Sequence, residues 1–159
     1  LPPSSPAFDK TVKPYALNPD KAKQLLAEGG YKGEKIILIG AGDQAVHNSI
    51  AHITADKMKA IGINVDLQWT DVASMAGRRS KREPPDQGGW NVFFTSSGGL
   101  ANGNPYMIGG MATTGEKGWF GWPSDAKNEE LRTRWINAGS LDERKAVARE
   151  LARWKRSLR

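Results

Sequence analysis

The spacing of apolar and polar positions divides the chain into short helical and strand segments separated by glycine and proline breaks. Residues 1–17 carry Pro2, Pro3, Pro6 and Pro14, which favour extended backbone. They read as an irregular lead-in, with Phe8, Tyr15 and Leu17 expected to dock on the body. Asn18 is a good N-cap and Pro19 a good first helical residue, and Gly29-Gly30 stop the helix that they start. Ile36 to Ile39 are consecutive apolar residues, the pattern of a strand covered on both faces. After Gly40-Ala41-Gly42-Asp43 a helix is expected at about 44–61, with Val46, Ile50, Ile53, Met58 and Ile61 at near-helical spacing. Val65, Leu67 and Trp69 alternate with Asn64, Asp66 and Gln68, which predicts a strand near an edge with one wet face.

Beyond that strand, Asp71 can cap a short helix from Val72 to about Arg82, and Asn91 to Thr95 reads as a third strand. Residues 96–123 are rich in Gly, Asn, Ser and Thr and show no periodicity. So long a loop in a compact domain is usually functional or mobile. A helix is expected from Ser124 or Asp125 to about Ala138, with Leu131 and Trp135 one turn apart. Ser140-Leu141-Asp142-Glu143 has the form of a capping box. The last helix is expected to bury Val147, Leu151, Trp154 and Leu158.

These elements predict an α/β fold. A strand–helix–strand crossover makes the first two strands parallel, and a third strand on the far side of the first gives the order 2-1-3. Ligands of open α/β sheets bind outside the carboxyl ends of the strands where the winding reverses. That rule sets Gly42 and Asp43 beside Ser96, Ser97 and Gly98 as candidate ligand residues. Trp119-Phe120-Gly121-Trp122-Pro123 crowds two indoles and a phenyl ring into the loop. Aromatics held in loops can stack on a ligand or plug the loop onto the body, and both readings stay open for Trp119 and Trp122.

Composition narrows the chemistry. The 159 residues are 38% hydrophobic and 25% charged, as in an ordinary globular domain, and no apolar run approaches the ~20 residues of a membrane helix. The absence of cysteine removes thiol nucleophiles and Cys-ligated metals. His47 and His52 are five apart and do not stack as a metal pair would, so no metal site is expected. Gly40 and Gly42 lack the third glycine of a dinucleotide loop, and no Gly-x-Ser-x-Gly elbow is present. The net charge of +6 gathers at Arg78-Arg79-Ser80-Lys81-Arg82 and Arg153 to Arg159. It leaves open a basic nucleic-acid or protein interaction module, although no nucleic-acid motif accompanies it. An enzyme domain with its site in the 96–123 loop is a further alternative.

Several ordered stretches resemble the extracytoplasmic solute-binding proteins of family 5, the peptide/nickel type of ABC transporter. They are Ala22-Lys23-x-Leu25-Leu26 with Gly30-Tyr31-x-Gly33, Ile61-Gly62-Ile63-x-Val65-x-Leu67, Trp90-Asn91, the Trp119 to Asp125 stretch with Glu130-Leu131-Arg132, and Asp142 to Ala146. The resemblance implies a single lobe of a type II periplasmic-binding-protein fold, a mostly parallel sheet flanked by helices. Residues 1–17 would lead in from the hinge, and residues 18–159 would form the C-terminal lobe of a larger two-lobe protein. It implies no catalytic residue, no metal and no cofactor. The implied partners are a small-molecule solute, the N-terminal lobe and an ABC permease, with no nucleic acid, and the implied location is periplasmic or extracytoplasmic at the membrane. Peptide-binding members hold a peptide's ammonium with an aspartate four residues before an Asp-Pro or Glu-Pro, where this chain has Ala101 ahead of Asn104-Pro105. A methyl group cannot pair with an ammonium. The expectation is therefore a peptide-like, opine-like or polyol solute rather than a simple free-amine peptide, hydrogen-bonded to Ser96, Ser97, Asn102 and Asn104.

Overall fold

The computed structural model describes residues 16–98 and 103–157. They fall into two compact units, one of Ala16–Ser96 and one that contains Ser97–Arg159. Phe8, Tyr15, Asn102 and Leu158 lie outside the described residues.

The first unit opens with helix α1, Pro19–Glu28, whose first turn is capped by Asn18 accepting from the Lys21 N–H at 2.9 Å. Gly30, at φ +73°, turns the chain out of it. Strands β1 (Ile36–Ala41), β2 (Val65–Thr70) and β3 (Val92–Phe93) form a parallel sheet in the order β2-β1-β3. Helices α2 (Ala45–Ala60) and α3 (Val72–Arg78) both pack on β1. Ile37, Ile39 and Ala41 join Met75 of α3 in one core cluster. Leu38, fully buried, points to the other face by strand alternation.

The structure departs from the sequence expectations at four places. Helix α3 stops at Arg78 rather than near Arg82, because its end is satisfied there. Trp90 Nε1 donates to the Arg79 carbonyl, and Arg78 donates to the carbonyls of Gly88 and Gly89. Strand β3 is two residues long. At its start the Asn91 side-chain oxygen, not its carbonyl, accepts the Ile37 N–H at 2.8 Å. The polar side chains of β2 are half-buried rather than wet, and Gln68 donates to Asp66 at 2.9 Å. Leu17, 76% exposed, is not docked. It borders a groove of about 340 Å³ with Ile53, Met58 and Ile61.

Helix α2 also inverts the expectation drawn from its large apolar residues. Its buried residues are His47, Ala51 and Ala55, one turn apart each. Val46 and Ile53 are 64% and 58% exposed. Small side chains let the helix axis approach the sheet closely, so the close-packed face is the alanine face.

In the second unit α4 (Ala126–Asn137) and α5 (Leu141–Ser157) form an antiparallel pair. Leu131, Trp135, Val147 and Leu151 make its core, with Met111, Ala148 and Trp154 packed against it. Each such buried side chain contributes roughly 2 kcal/mol. The capping box forms as expected. Glu143 accepts from the Gly139 and Ser140 N–H groups, and Ser140 Oγ accepts from the Glu143 N–H.

The loop before α4 is held by polar groups rather than by periodic apolar ones. Arg132, 5% exposed, donates to the Pro105 carbonyl at 3.2 Å and the Tyr106 carbonyl at 2.8 Å, and pairs with Glu129 at 2.7 Å. Asn128 donates to the Met111 carbonyl and to Thr113 Oγ1. Asp125 caps α4 and accepts from Trp154 Nε1 at 2.8 Å.

Candidate functional site

The strand order β2-β1-β3 makes the carboxyl end of β1 a point where the winding reverses. Three pieces of chain meet there within the first unit: the Gly42-Asp43 turn after β1, the first turn of α2, and the segment from β3 to Ser96. The contact that joins the last two is between His47 Nε2 and Ser96 Oγ, 3.3 Å apart. His47 is 9% exposed, whereas Ser96 lies at the surface.

The Gly42-Asp43 turn is built into the sheet end. The Gly42 N–H donates to the Thr70 carbonyl at 2.8 Å, and the Asp43 carboxylate accepts the Val72 N–H at 3.1 Å. The first ties the turn to the end of β2 and the second ties it to the start of α3. The Gly42 N–H is thus already engaged. The first turn of α2 differs, because its N-cap, Gln44, makes no side-chain capping bond. Its first N–H groups therefore lack the side-chain acceptor that caps usually supply.

The remaining candidates belong to the second unit. Ser97 and Gly98 are exposed there. Asn104 accepts the Tyr106 N–H at 2.8 Å, a local turn that orients its side chain. Trp119 covers the backbone of Gly109 and Gly110; a Cβ on Gly109 would lie 2.6 Å from Trp119 Cε3. Its ring also meets Phe120 edge-on, 5.1 Å between centroids. Trp122 has φ +47°, and its N–H donates to the Trp119 carbonyl at 2.8 Å. Trp119 thus packs on part of its own loop. Among the described residues no group of His, Asp and Glu side chains is placed to hold a metal ion.

His47 is the residue that sequence reasoning passed over, weighing it as half of a metal pair with His52. The signal was its spacing. Positions 47, 51 and 55 share one helical face, and two of the three are alanines suited to close packing.

The profile described as bacterial extracellular solute-binding proteins, family 5 Middle, matches residues 1–119. The chain belongs to family 5 of the bacterial extracellular solute-binding proteins. Over 134 residues it is 42% identical to the "probable peptide ABC transporter periplasmic-binding protein y4tO" of Sinorhizobium fredii, covering 84% of this chain and 25% of that protein. Among solved structures, the ABC transporter substrate-binding protein CtaP of Listeria monocytogenes superimposes with a TM-score of 0.77 at 17% identity, covering 96% of this chain and 30% of that one. The periplasmic binding protein MelB of Agrobacterium fabrum, in complex with stachyose, gives 0.71 at 15% identity, covering 94% and 26%. The fold is thus that of the periplasmic binding proteins. The chain spans about a quarter of the length of the curated relative it matches, 25%. Family 5 groups substrate-binding transport proteins rather than enzymes. Among the described residues no helix is long and apolar enough to cross a membrane.

Proposed function

We propose that this chain is the second lobe of the ligand clamp in a solute-binding protein serving an ABC importer. Family membership and the meeting of α2 and the end of β3 at the winding reversal, carried by the His47–Ser96 contact, support the reading. Ser96, Ser97, Gly98, Gly42, Asp43, Asn102, Asn104, Trp119 and Trp122 are the proposed ligand-facing set. Gly42 and Asp43 would act by shaping the edge, since their polar groups are already engaged. Residues 1–17 would come from the hinge, residues 18–159 would form the lobe, and an N-terminal lobe would supply the opposing jaw. Closing over the solute would expel water and engage both jaws. An ABC permease in the membrane would receive the solute from the extracytoplasmic side.

The solute class that fits is peptide-like, opine-like or polyol. Ala101 offers no carboxylate to an ammonium, and the proposed polar set is rich in hydroxyl and amide groups. The alternative of a basic interaction module is weakened at Arg78, whose guanidinium is engaged by the Gly88 and Gly89 carbonyls.

Native mass spectrometry of the full-length protein identifies the solute that co-purifies with it. Titration calorimetry then compares that solute on the full-length protein and on the 159-residue chain. The expected result is binding by the full-length protein, with roughly 100-fold weaker binding or none by the chain, which lacks the second set of contacts. Equal affinity of the two would overturn the clamp reading.

A further inference from the structure

Taking the carboxyl ends of β1 and β3 as the ligand edge, we propose that His47 turns the Ser96 O–H outward as a hydrogen-bond donor, a position suited to an oxygen acceptor of the solute.

The geometry begins with how α2 sits on the sheet. Ala51 and Ala55 bring the helix close, and His47, one turn nearer the amino end on the same face, is carried inward with them. Its Nε2 meets Ser96 Oγ at 3.3 Å. Its Nδ1 is buried and has no hydrogen-bond partner.

A neutral imidazole carries one proton, on one nitrogen or the other. A proton on Nδ1 would bury an N–H with no acceptor, and orphaned buried donors are rarer in folded proteins than under-used acceptors. The proton therefore belongs on Nε2, which donates to Ser96 Oγ. That bond uses one of the two lone pairs of the serine oxygen and turns its single O–H proton away from His47. Ser96 is exposed, so that proton is available at the surface of the edge.

The neighbouring helix start adds donors of the same sense. Gln44 gives no side-chain cap to α2, so the first N–H groups of this 16-residue helix carry the positive end of its dipole without a capping side chain. Donors from two elements therefore converge on one end of the sheet. A carboxylate, a carbonyl or a sugar oxygen satisfies them. An ammonium, which has only donors, does not.

The chain has two histidines, so ¹⁵N-histidine labelling gives two ring systems, with the exposed His52 as the internal comparison. Long-range ¹H–¹⁵N correlation at neutral pH is expected to show His47 protonated at Nε2 and bare at Nδ1. A bare Nε2, with the proton on Nδ1, overturns the proposal and leaves the ligand-edge reading standing. Acetate, glucose and methylammonium then serve as probes: a charged oxygen acceptor, a neutral one and a donor without oxygen. Acetate or glucose is expected to move the Ser96 amide signal and the His47 Nε2 signal, and whichever does so separates carboxylate from sugar recognition. Methylammonium is expected to move neither, and a response to it overturns the proposal. A bare Nδ1 with no response to either acceptor overturns it through the ligand-edge reading instead. His47→Gln, which keeps a side-chain N–H, is expected to retain the acceptor response, and His47→Leu to lose it. Equal responses in the two variants would reduce His47 to packing.

Discussion

The ring of Trp69 occupies the space that a side chain at Gly40 would need: a Cβ there would lie 2.5 Å from Trp69 Cζ3. The two residues are register partners on neighbouring parallel strands. Glycine at 40 thus serves close cross-strand packing near the carboxyl end of β1. Gly40→Ala is expected to cost about 2 kcal/mol, typical of overpacking. Trp69→Val should relieve most of it, so urea unfolding of the single and double variants should show strong coupling. Additive losses would mean that the ring is not what excludes a side chain.

The exposure pattern of α2 gives a paired expectation. Ile53→Lys changes an exposed position and should alter stability by less than about 0.5 kcal/mol. Ala51→Leu forces a large side chain into the closest helix–sheet contact and should cost about 2 kcal/mol. The reverse ranking in thermal unfolding would show that the helix seats on its large apolar face.

Arg132 ties the 105–106 segment to α4 through two carbonyls and an ion pair. Arg132→Met keeps the length and removes the donors. A loss of about 3 kcal/mol is expected, because two carbonyls lose their side-chain donor and the Glu129 carboxylate loses its ion-pair partner. Hydrogen exchange of the 103–113 amides should accelerate with it. Unchanged exchange would place the hold on that loop elsewhere.

Acid should loosen the same cluster. Burial pushes Glu129 up, but the Thr113 N–H, the Arg132 guanidinium and the Thr113 hydroxyl together outweigh it and hold the carboxyl below its ordinary 4.5. The Asn128 N–H is the main cause that holds Asp125 below its ordinary 3.8; burial opposes it, and Trp154 Nε1 adds to it. A depressed carboxylate stabilises the fold fully above its unfolded value and loses that contribution as pH falls through the folded one. The thermal midpoint should therefore stay level from neutral pH to about the ordinary carboxylate range and fall below it. The Glu129→Gln, Asp125→Asn double variant should show a shallower fall. An equally steep decline in that variant would assign acid sensitivity to other groups.

Local signals were legible in the sequence because their causes are local. Asn18-Pro19 and Ser140 with Glu143 cap the helices that they announce. The unbroken run Ile36–Ile39 became the central strand, and the third strand lies on its far side, giving the order β2-β1-β3. The α2 seat was misread because side-chain size was taken as burial, whereas close approach to a sheet selects alanine. The hold on the long loop was invisible because Arg132 reaches carbonyls 26 and 27 positions away. The His47–Ser96 contact, 49 positions apart, was hidden for the same reason. The family resemblance ran through short ordered matches, and its match over residues 1–119 agrees.

Affinity at Ser96 tests the ligand edge most directly. The solute that co-purifies with the full-length protein is titrated by calorimetry into wild type and Ser96→Ala. Loss of one hydrogen bond is expected to weaken binding by about 10-fold, with the thermal midpoint of the solute-free protein unchanged. Equal affinities in the two proteins would contradict the placement of the solute at the carboxyl ends of β1 and β3.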